Sequence, residues 1–409
     1  MTDKCSIPGM HSPSGVESGS GLRPHFTIIV FLTVIFFFNF TSRILLSPLT
    51  PTIEHDMGLG HGAMGFFFFS ITVGYFISLA GSGFISSRIS HRLTIIISSV
   101  AAGFVLIAVC FTETAWGFGA CTLALGLVTG IYLPSGIATI TGLVDSRQWG
   151  KALAIHELAP NLGFIAAPLM VEVLMIWFSW RCVMGVTGVA SILVGFSFAL
   201  YGRGGEFYGE KPNFVLIRHL FMKPSFFVMI ILFSLGISST VGVYSMLPLY
   251  LVTNHGIPKV EANTIIAVSR ISPLFMVFLG GWAGDRFGAA KTMKVVFFLT
   301  GIITILLGFA NTYWIKLFVL FQPVFAVCFF PVGFALLSMA VPPRSRNLAV
   351  SLAIPISFMI GAGLFPAGIG ILGDAGLFDS GFIILGIFIL SGSILLNFVT
   401  FRDCRGNVI

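Results

Sequence analysis

Two arginines carry the chemistry of this sequence, because they fall where charge is expensive. Arg43 lies in the apolar run 26–52 and Arg270 in the run 263–284, and neither run contains an aspartate or a glutamate. A charged side chain at the centre of a bilayer costs about 2.5–3.5 kcal/mol on insertion scales, so it is normally kept only with a partner or a water-filled cavity. The planar fork of arginine binds two oxygens of a carboxylate, sulfonate or phosphate at once. Two such positives without a counter-ion predict an anion site. The alternative is that each snorkels or bonds a backbone carbonyl. Their depths agree: Arg43 stands about eight residues before the end of its run near Pro51, and Arg270 about seven after Asn263. At 1.5 Å per residue both sit roughly 10–12 Å below one membrane surface.

Other polar residues in apolar runs are weaker candidates. His156 and Glu157, in AIHELAPNLGF, are candidate proton carriers, since burial raises a carboxyl pKa and histidine titrates near neutrality. A salt bridge from them to Lys151 or Arg147, closing an inner gate, is the plainer reading. Asn161 lies one turn further on and is placed to bond a substrate, with Pro160 freeing backbone carbonyls beside it. Tyr132, Ser239, Thr240, Tyr244 and Gln322 sit at mid-depth and are candidate substrate contacts, or else buried interhelical hydrogen bonds. Glu172 is expected in an outer vestibule or paired with Arg181, and Asp374 and Asp379 are expected to be solvated in the last outer loop. The glycines Gly361, Gly363, Gly368 and Gly370 predict close helix packing, and the run Phe66–Phe69 faces lipid or packs. Six scattered cysteines read as free thiols with no metal site. No strand and no phosphate loop is evident, so no nucleotide or other cofactor is implied.

The elements that position these residues follow from composition. The chain has 409 residues, 56% hydrophobic and only 9% charged, with a mean hydropathy of +1.01. Soluble domains carry about 25% charged residues, so lipid must be the solvent. The net charge of +7 reflects basic loops rather than a nucleic-acid partner. Runs long enough to span predict twelve helices, at 26–52, 62–86, 93–112, 114–144, 150–178, 182–202, 225–252, 263–284, 295–310, 313–341, 347–373 and 380–401. With both termini in the cytoplasm, 17 of the 22 Lys and Arg fall on the inner side and only Arg181, Lys259 and Lys316 on the outer. That asymmetry sets the orientation and supports an even count. The expected architecture is an all-α membrane protein of two six-helix bundles, 26–202 and 225–401. A basic cytoplasmic linker, 203–224, joins them. The polar segment 1–25, which lacks the apolar core of a signal peptide, and the segment 402–409 read as cytoplasmic tails. A monomer in a cytoplasmic (inner) membrane is expected.

The two halves echo each other. The loop GGWAGDRFGAAK (280–291) after the eighth run parallels GSGFISSRISHR (81–92) after the second, with Arg88 matching Arg286. These loops resemble the signature of the major facilitator superfamily. Gly281, Asp285, Arg286 and Gly288 keep the pattern, whereas Ser87 and Ser90 replace its Asp and Gly in the first copy. The resemblance implies two bundles, a central cavity, alternating access, and gating roles for Arg88, Asp285 and Arg286. Within the first run, Arg43, Leu46, Ser47, Pro51, Ile53, Asp56 and Gly58 are similar to the pattern of anion:cation symporters. Organophosphate antiporters also place an Arg eight residues before that Pro. In both groups this Arg contacts the anion. The acid before it is Ser42 here, and the further arginines of those groups in helices 4 and 7 are missing. Arg270 resembles, by helix only, an arginine of monocarboxylate and oxalate carriers.

The expected function is a secondary active carrier of a small organic anion, a carboxylate, taken up with a proton. Exchange, facilitated diffusion, and an organophosphate or sulfonate cargo are the alternatives. Drug or cation efflux is disfavoured by two buried positives. A membrane-embedded enzyme would need a catalytic cluster, and His156–Glu157 lacks the ligands for one. A channel would predict transport without saturation.

Overall fold

The computed structural model describes residues 22–145, 148–209, 214–341 and 346–398. The expected tails lie outside these, except that the first helix already begins at Leu22. Among the described residues, twelve helices are long and apolar enough to cross a membrane. They are α1 Pro24–Met57, α2 His61–Ser86, α3 His91–Val109, α4 Ala115–Leu143, α5 Trp149–Met175, α6 Trp180–Tyr201, α7 Pro224–Thr253, α8 Lys259–Phe287, α9 Ala289–Phe309, α10 Ile315–Ala340, α11 Leu348–Asp374 and α12 Phe378–Leu395. No strand occurs among the described residues. In lipid every backbone polar group must be bonded within the segment, which leaves the helix as the solution for such runs.

Tight turns separate neighbouring spans through capping side chains. Ser90, Thr114 and Ser179 accept from the backbone N–H groups of Leu93, Gly117 and Cys182 at the starts of α3, α4 and α6. The α8–α9 turn needs Gly288, whose φ is +92°. Helix α9 corrects the sequence reading. It starts at Ala289 rather than 295, because its lysines reach out of the apolar zone, with Lys294 Nζ 2.6 Å from Asn397 Oδ1.

Five spans are broken near their middles, at Leu45 in α1, Ile131 in α4, Glu157 in α5, Arg270 in α8 and Cys328 in α10. Each break stands three residues before a proline: Pro48, Pro134, Pro160, Pro273 and Pro331. Proline has no N–H for the carbonyl four residues back, and its ring crowds that carbonyl, so the helix bends there. Spans α7 and α11 instead carry π turns, at Ser238–Gly242 and Met359–Leu364. The remaining five, α2, α3, α6, α9 and α12, are continuous. In each half two continuous helices pack glycine to backbone: Gly103 with Gly188 joins α3 to α6, and Gly301 with Gly386 joins α9 to α12. The bent helices α1, α4, α5, α7, α8, α10 and α11 are left to shape the interior.

The halves meet through α1 with α7, α5 with α8, and α2 with α11. The charge pattern predicts that the end carrying Met57 and Asp374, here the outer end, faces away from the cytoplasm.

Candidate functional site

Both arginines sit at breaks. Arg43 closes the first segment of α1, and Arg270 occupies the break of α8. Their relative exposures are 9% and 5%, so they face neither lipid nor bulk water. The Arg43 guanidinium lies 4.2 Å from the Tyr75 ring centre and 5.3 Å from that of Phe40. Arg270 lies 4.8 Å from the Phe164 ring and 4.9 Å from Tyr244. It also donates to the Thr240 carbonyl, 3.3 Å away in the π turn of α7. The rings connect: Phe40 meets Phe164 edge-on at 5.0 Å, and Phe164 meets Tyr244 at 4.8 Å. An aromatic bridge therefore runs from Arg43 in one half to Arg270 in the other. Cation–π contact stabilises a desolvated guanidinium but leaves its N–H groups free to donate.

No carboxylate neutralises either arginine among the described ion pairs. The Nε of Arg43, the Nε of Arg270 and the hydroxyl of Tyr244 are all buried without a hydrogen-bond partner. Buried donors left unmade cost about 1–3 kcal/mol each, more when charged. Their accumulation at one interface leaves several donors there without an acceptor. Beside Arg43 a cavity of about 30 Å³ is bounded by both halves, with Phe40, Phe68 and Thr72 on one side and Val241, Ser245 and Phe358 on the other. That volume holds a water or two and no organic anion, so the site is collapsed in this conformation. Arg270 does not reach its wall.

The structure thus brings Arg43, Arg270 and Tyr244 together. It does not bring the other candidates to them. Tyr132 is fully buried inside the first half; its hydroxyl donates to the Leu32 carbonyl at 2.7 Å and meets His156 Nε2 at 3.1 Å. Asn161 donates to the Glu157 carbonyl of its own helix at 3.0 Å. Gln322 donates to the Ser239 carbonyl at 2.6 Å, while the Ser239 hydroxyl bonds Gly236. These four residues make interhelical or local bonds, because each has a backbone acceptor in reach, and of them only Gln322 keeps a buried polar atom, its Oε1, without a partner. Thr240 likewise bonds back to Gly236 at 3.2 Å. Glu157 is about half exposed and lies 3.6 Å from His156 Nδ1, not on Lys151; Arg147 is outside the described residues. His156 itself is buried and stacked on Phe36 at 4.4 Å.

Outer acids also differ from expectation. Arg181 pairs with Asp56 at 2.5 Å, leaving Glu172 to accept from Asn263 of α8 at 2.5 Å. Asp374 accepts from the backbone of Gly62 at 3.0 Å, and Asp379 from Tyr250 at 2.5 Å, so neither is merely solvated. The expected close packing is present for Gly361 against α7 and for Gly363 and Gly370 against α2, but not for Gly368, which has open space around it, and of the phenylalanine run Phe66 is exposed whereas Phe67 and Phe68 are buried.

The gating candidates Arg88, Asp285 and Arg286 are exposed at the inner end. Arg286 rests on Trp282 of its own helix, 5.5 Å away. At the first loop the chain uses a strap that sequence reading missed. The linker start lies against it, with the N–H groups of His91 and Arg92 donating to Phe207 and Gly205 at 3.1 and 2.7 Å. Arg92 also pairs with Glu206 at 2.8 Å.

Comparison with known proteins follows the same lines. The sequence profile of the Major Facilitator Superfamily matches residues 32–272 and 242–405. The chain is 21% identical over 336 residues to the membrane sensor protein UhpC of Escherichia coli (strain K12), covering 76% of this chain and 75% of that one. It is 23% identical over 323 residues to a probable hexose phosphate transport protein of Chlamydia trachomatis, 69% of each. With the probable nitrate transporter NarT of Staphylococcus aureus it shares 21% over 327 residues, 80% of this chain and 83% of that one. Among solved structures, a bacterial homologue of the human lysosomal transporter Spinster, inward-facing and occupied, superposes with a TM-score of 0.79 at 15% identity. It covers 93% of this chain and 97% of that one.

Proposed function

Because this chain belongs to the Major Facilitator Superfamily, we propose that it carries a small organic anion across the membrane by alternating access, with Arg43 and Arg270 gripping the anion from opposite halves. One observation carries this reading: two guanidiniums and a tyrosine hydroxyl are buried at the interface with donors unspent and no carboxylate beside them. A carboxylate would accept from both sides and so prefer the state in which the halves close on it. Relatives named for hexose phosphate and nitrate support an anion in general. Both termini are proposed to lie on the cytoplasmic side of a bacterial-type inner membrane, where the linker 203–224 joins the two halves.

The test is binding followed by uptake. A panel of carboxylates, sulfonates and phosphates is offered to the purified protein, and thermal stabilisation is read; a ligand of the folded state raises stability by RT ln(1 + [L]/Kd). The best binder is then followed into proteoliposomes. Arg43→Ala and Arg270→Ala are each expected to lower uptake at least 100-fold. Undiminished uptake in either variant rejects the grip.

Proton coupling is the finer part of the proposal. Tyr132 has one hydroxyl proton and gives it to Leu32, so His156 must donate from Nε2. Its Nδ1 is then bare, buried and aimed at Glu157. A proton arriving at Nδ1 from the half-exposed carboxyl creates an imidazolium–carboxylate pair. Uptake is expected to rise with an inward proton gradient in the native protein and to lose that dependence in Glu157→Gln. The similarity to a membrane sensor protein favours one other reading, an anion sensor; saturable binding without uptake would select it.

A further inference from the structure

Resting on the anion-carrier reading, we propose that the cargo is an organic acid with a hydrocarbon or aromatic body, and that this site rejects sugar phosphates and bare inorganic anions. The inference comes from the polar groups that remain available. Around the two arginines nearly every hydroxyl is already committed to a backbone carbonyl. Thr72 donates to Phe69 at 2.8 Å, Ser245 to Val241 at 2.8 Å and Ser47 to Tyr244 at 2.7 Å. What stays unspent is the Nε of each arginine, the Tyr244 hydroxyl and the Thr41 hydroxyl, two residues before Arg43 in α1. An arginine N–H donates and never accepts. The site therefore offers donors for one or two anionic groups and very little else.

The walls give the complementary message. Phe40, Phe68, Ile71, Val241, Phe358 and Ala362 bound the space beside Arg43. A hexose would bring several hydroxyls into this mostly apolar pocket, where the Thr72 and Ser245 oxygens can still accept but are too few to match them all, and a buried unmatched polar group is penalised far more than a missing methylene. Nitrate would satisfy the guanidiniums yet leave the aromatic faces uncovered. A flat or branched hydrocarbon acid meets both demands. Its carboxylate takes the donors and its body displaces poorly held water from the rings of Phe40 and Phe164.

The experiment uses full-length protein in detergent and then in proteoliposomes, with four probes: 3-phenylpropanoate, its uncharged amide, glucose 6-phosphate and nitrate. The expected order is phenylpropanoate at least 10-fold tighter than glucose 6-phosphate or nitrate, with the amide not binding. Equal or tighter binding of glucose 6-phosphate or nitrate overturns this inference and leaves the anion reading standing. Binding of the amide as tightly as the acid, or no binding of any anion, overturns the anion reading itself. Two variants probe the walls and the donors separately. Phe358→Asn, at a half-buried position that accepts a polar side chain, adds hydrogen-bonding capacity and is expected to narrow the preference over glucose 6-phosphate by several-fold; an unchanged ratio counts against the inference. Tyr244→Phe keeps the ring and removes a donor, and is expected to weaken the acid about 10-fold with the ranking preserved.

Discussion

Outward of the arginines, five hydrogen bonds join the two halves: Ser47 to the Tyr244 carbonyl, Asn263 to Pro48 and to Glu172, Lys259 to Thr52, and Gly62 to Asp374. Inward of them, none of Arg88, Lys151, Glu157, Asp285 or Arg286 reaches a partner in the opposite half among the described residues. The least buried spans of the twelve are α5 and α8. Their outer parts pack together while Glu157, Leu158 and Leu162 on one and Phe278 and Trp282 on the other remain exposed. The described hydrogen bonds between the halves thus all lie at one end of the interface. The difference lies in the material. The bonded end combines glycine-to-backbone contact with bonds to backbone carbonyls, whereas the other end holds long charged side chains that pair only when brought near. Ser47 illustrates the first kind: Pro248 has no N–H for the Tyr244 carbonyl, and the opposite half supplies the donor instead.

The largest expected break of this contrast is Gly65→Val. A Cβ at Gly65 would lie 2.5 Å from the Pro366 carbonyl oxygen and 2.7 Å from Ala367 Cα, both backbone atoms of α11 that cannot swing aside. Outer closure is then blocked, while each half keeps its own core. Uptake is expected to fall at least 100-fold, and a cysteine placed at Thr52 should become freely labelled from outside. Normal uptake with a protected Thr52→Cys site would mean that the outer seal does not depend on this contact.

Second in size is Asn263→Ala. It removes the bonds to Pro48 and Glu172, the latter to a carboxylate, and leaves the half-buried Glu172 without that donor. The loss is about 2–3 kcal/mol, which moves the closed-to-open ratio by roughly 30–150-fold, since about 1.4 kcal/mol is a factor of ten. Outer labelling should accelerate by that order, and Glu172→Gln in the same background should add little, because the pair is already broken. Fully additive effects of the two substitutions would show that they do not act as a pair.

Sequence reading found the parts of this machine for which lipid leaves few options. Twelve apolar runs had to be helices, and Arg43 and Arg270 stood out because charge at that depth demands a reason. The bends were present in the text as Pro48, Pro134, Pro160, Pro273 and Pro331, though only the structure shows that a break falls three residues before each. The aromatic bridge was not legible. In a chain with 44 phenylalanines, Phe40 and Phe164 carry no distinguishing signal, and Tyr75 differs from lipid-facing neighbours only by its face. Tyr132 and Gln322 were misplaced for the same reason, since a polar group at mid-depth does not declare whether it faces a cavity or the next helix. Asp374 meets Gly62 across 312 residues, a pairing that no local pattern announces.

Gly288→Ala should have an intermediate effect at the inner end. Its φ of +92° is poorly tolerated by a Cβ, but open space surrounds the position, so the cost is backbone strain of about 1–3 kcal/mol without a clash. A modest fall in thermal stability with retained outer closure is expected. Faster labelling of Thr52→Cys in this variant would mean that the α8–α9 turn communicates with the far side.

Smallest of all should be Arg92→Ala. The Arg92–Glu206 pair is prominent in the structure, yet its side chains are 26% and 67% exposed. Exposed pairs contribute about 0–1 kcal/mol. The strap does not rest on that pair alone, because the Arg92 and His91 amides donate to Gly205 and Phe207 whatever the side chain is, and Gly209 donates to Ser86. The one further loss is the guanidinium bond to the Ala199 carbonyl at 3.0 Å. All of these contacts lie within the first half and its linker, so none opposes or favours joining the second. Arg92→Ala should therefore leave outer labelling and uptake within about two-fold of native. A large change would show that the strap acts on the far, bonded end of the interface as well as on its own half.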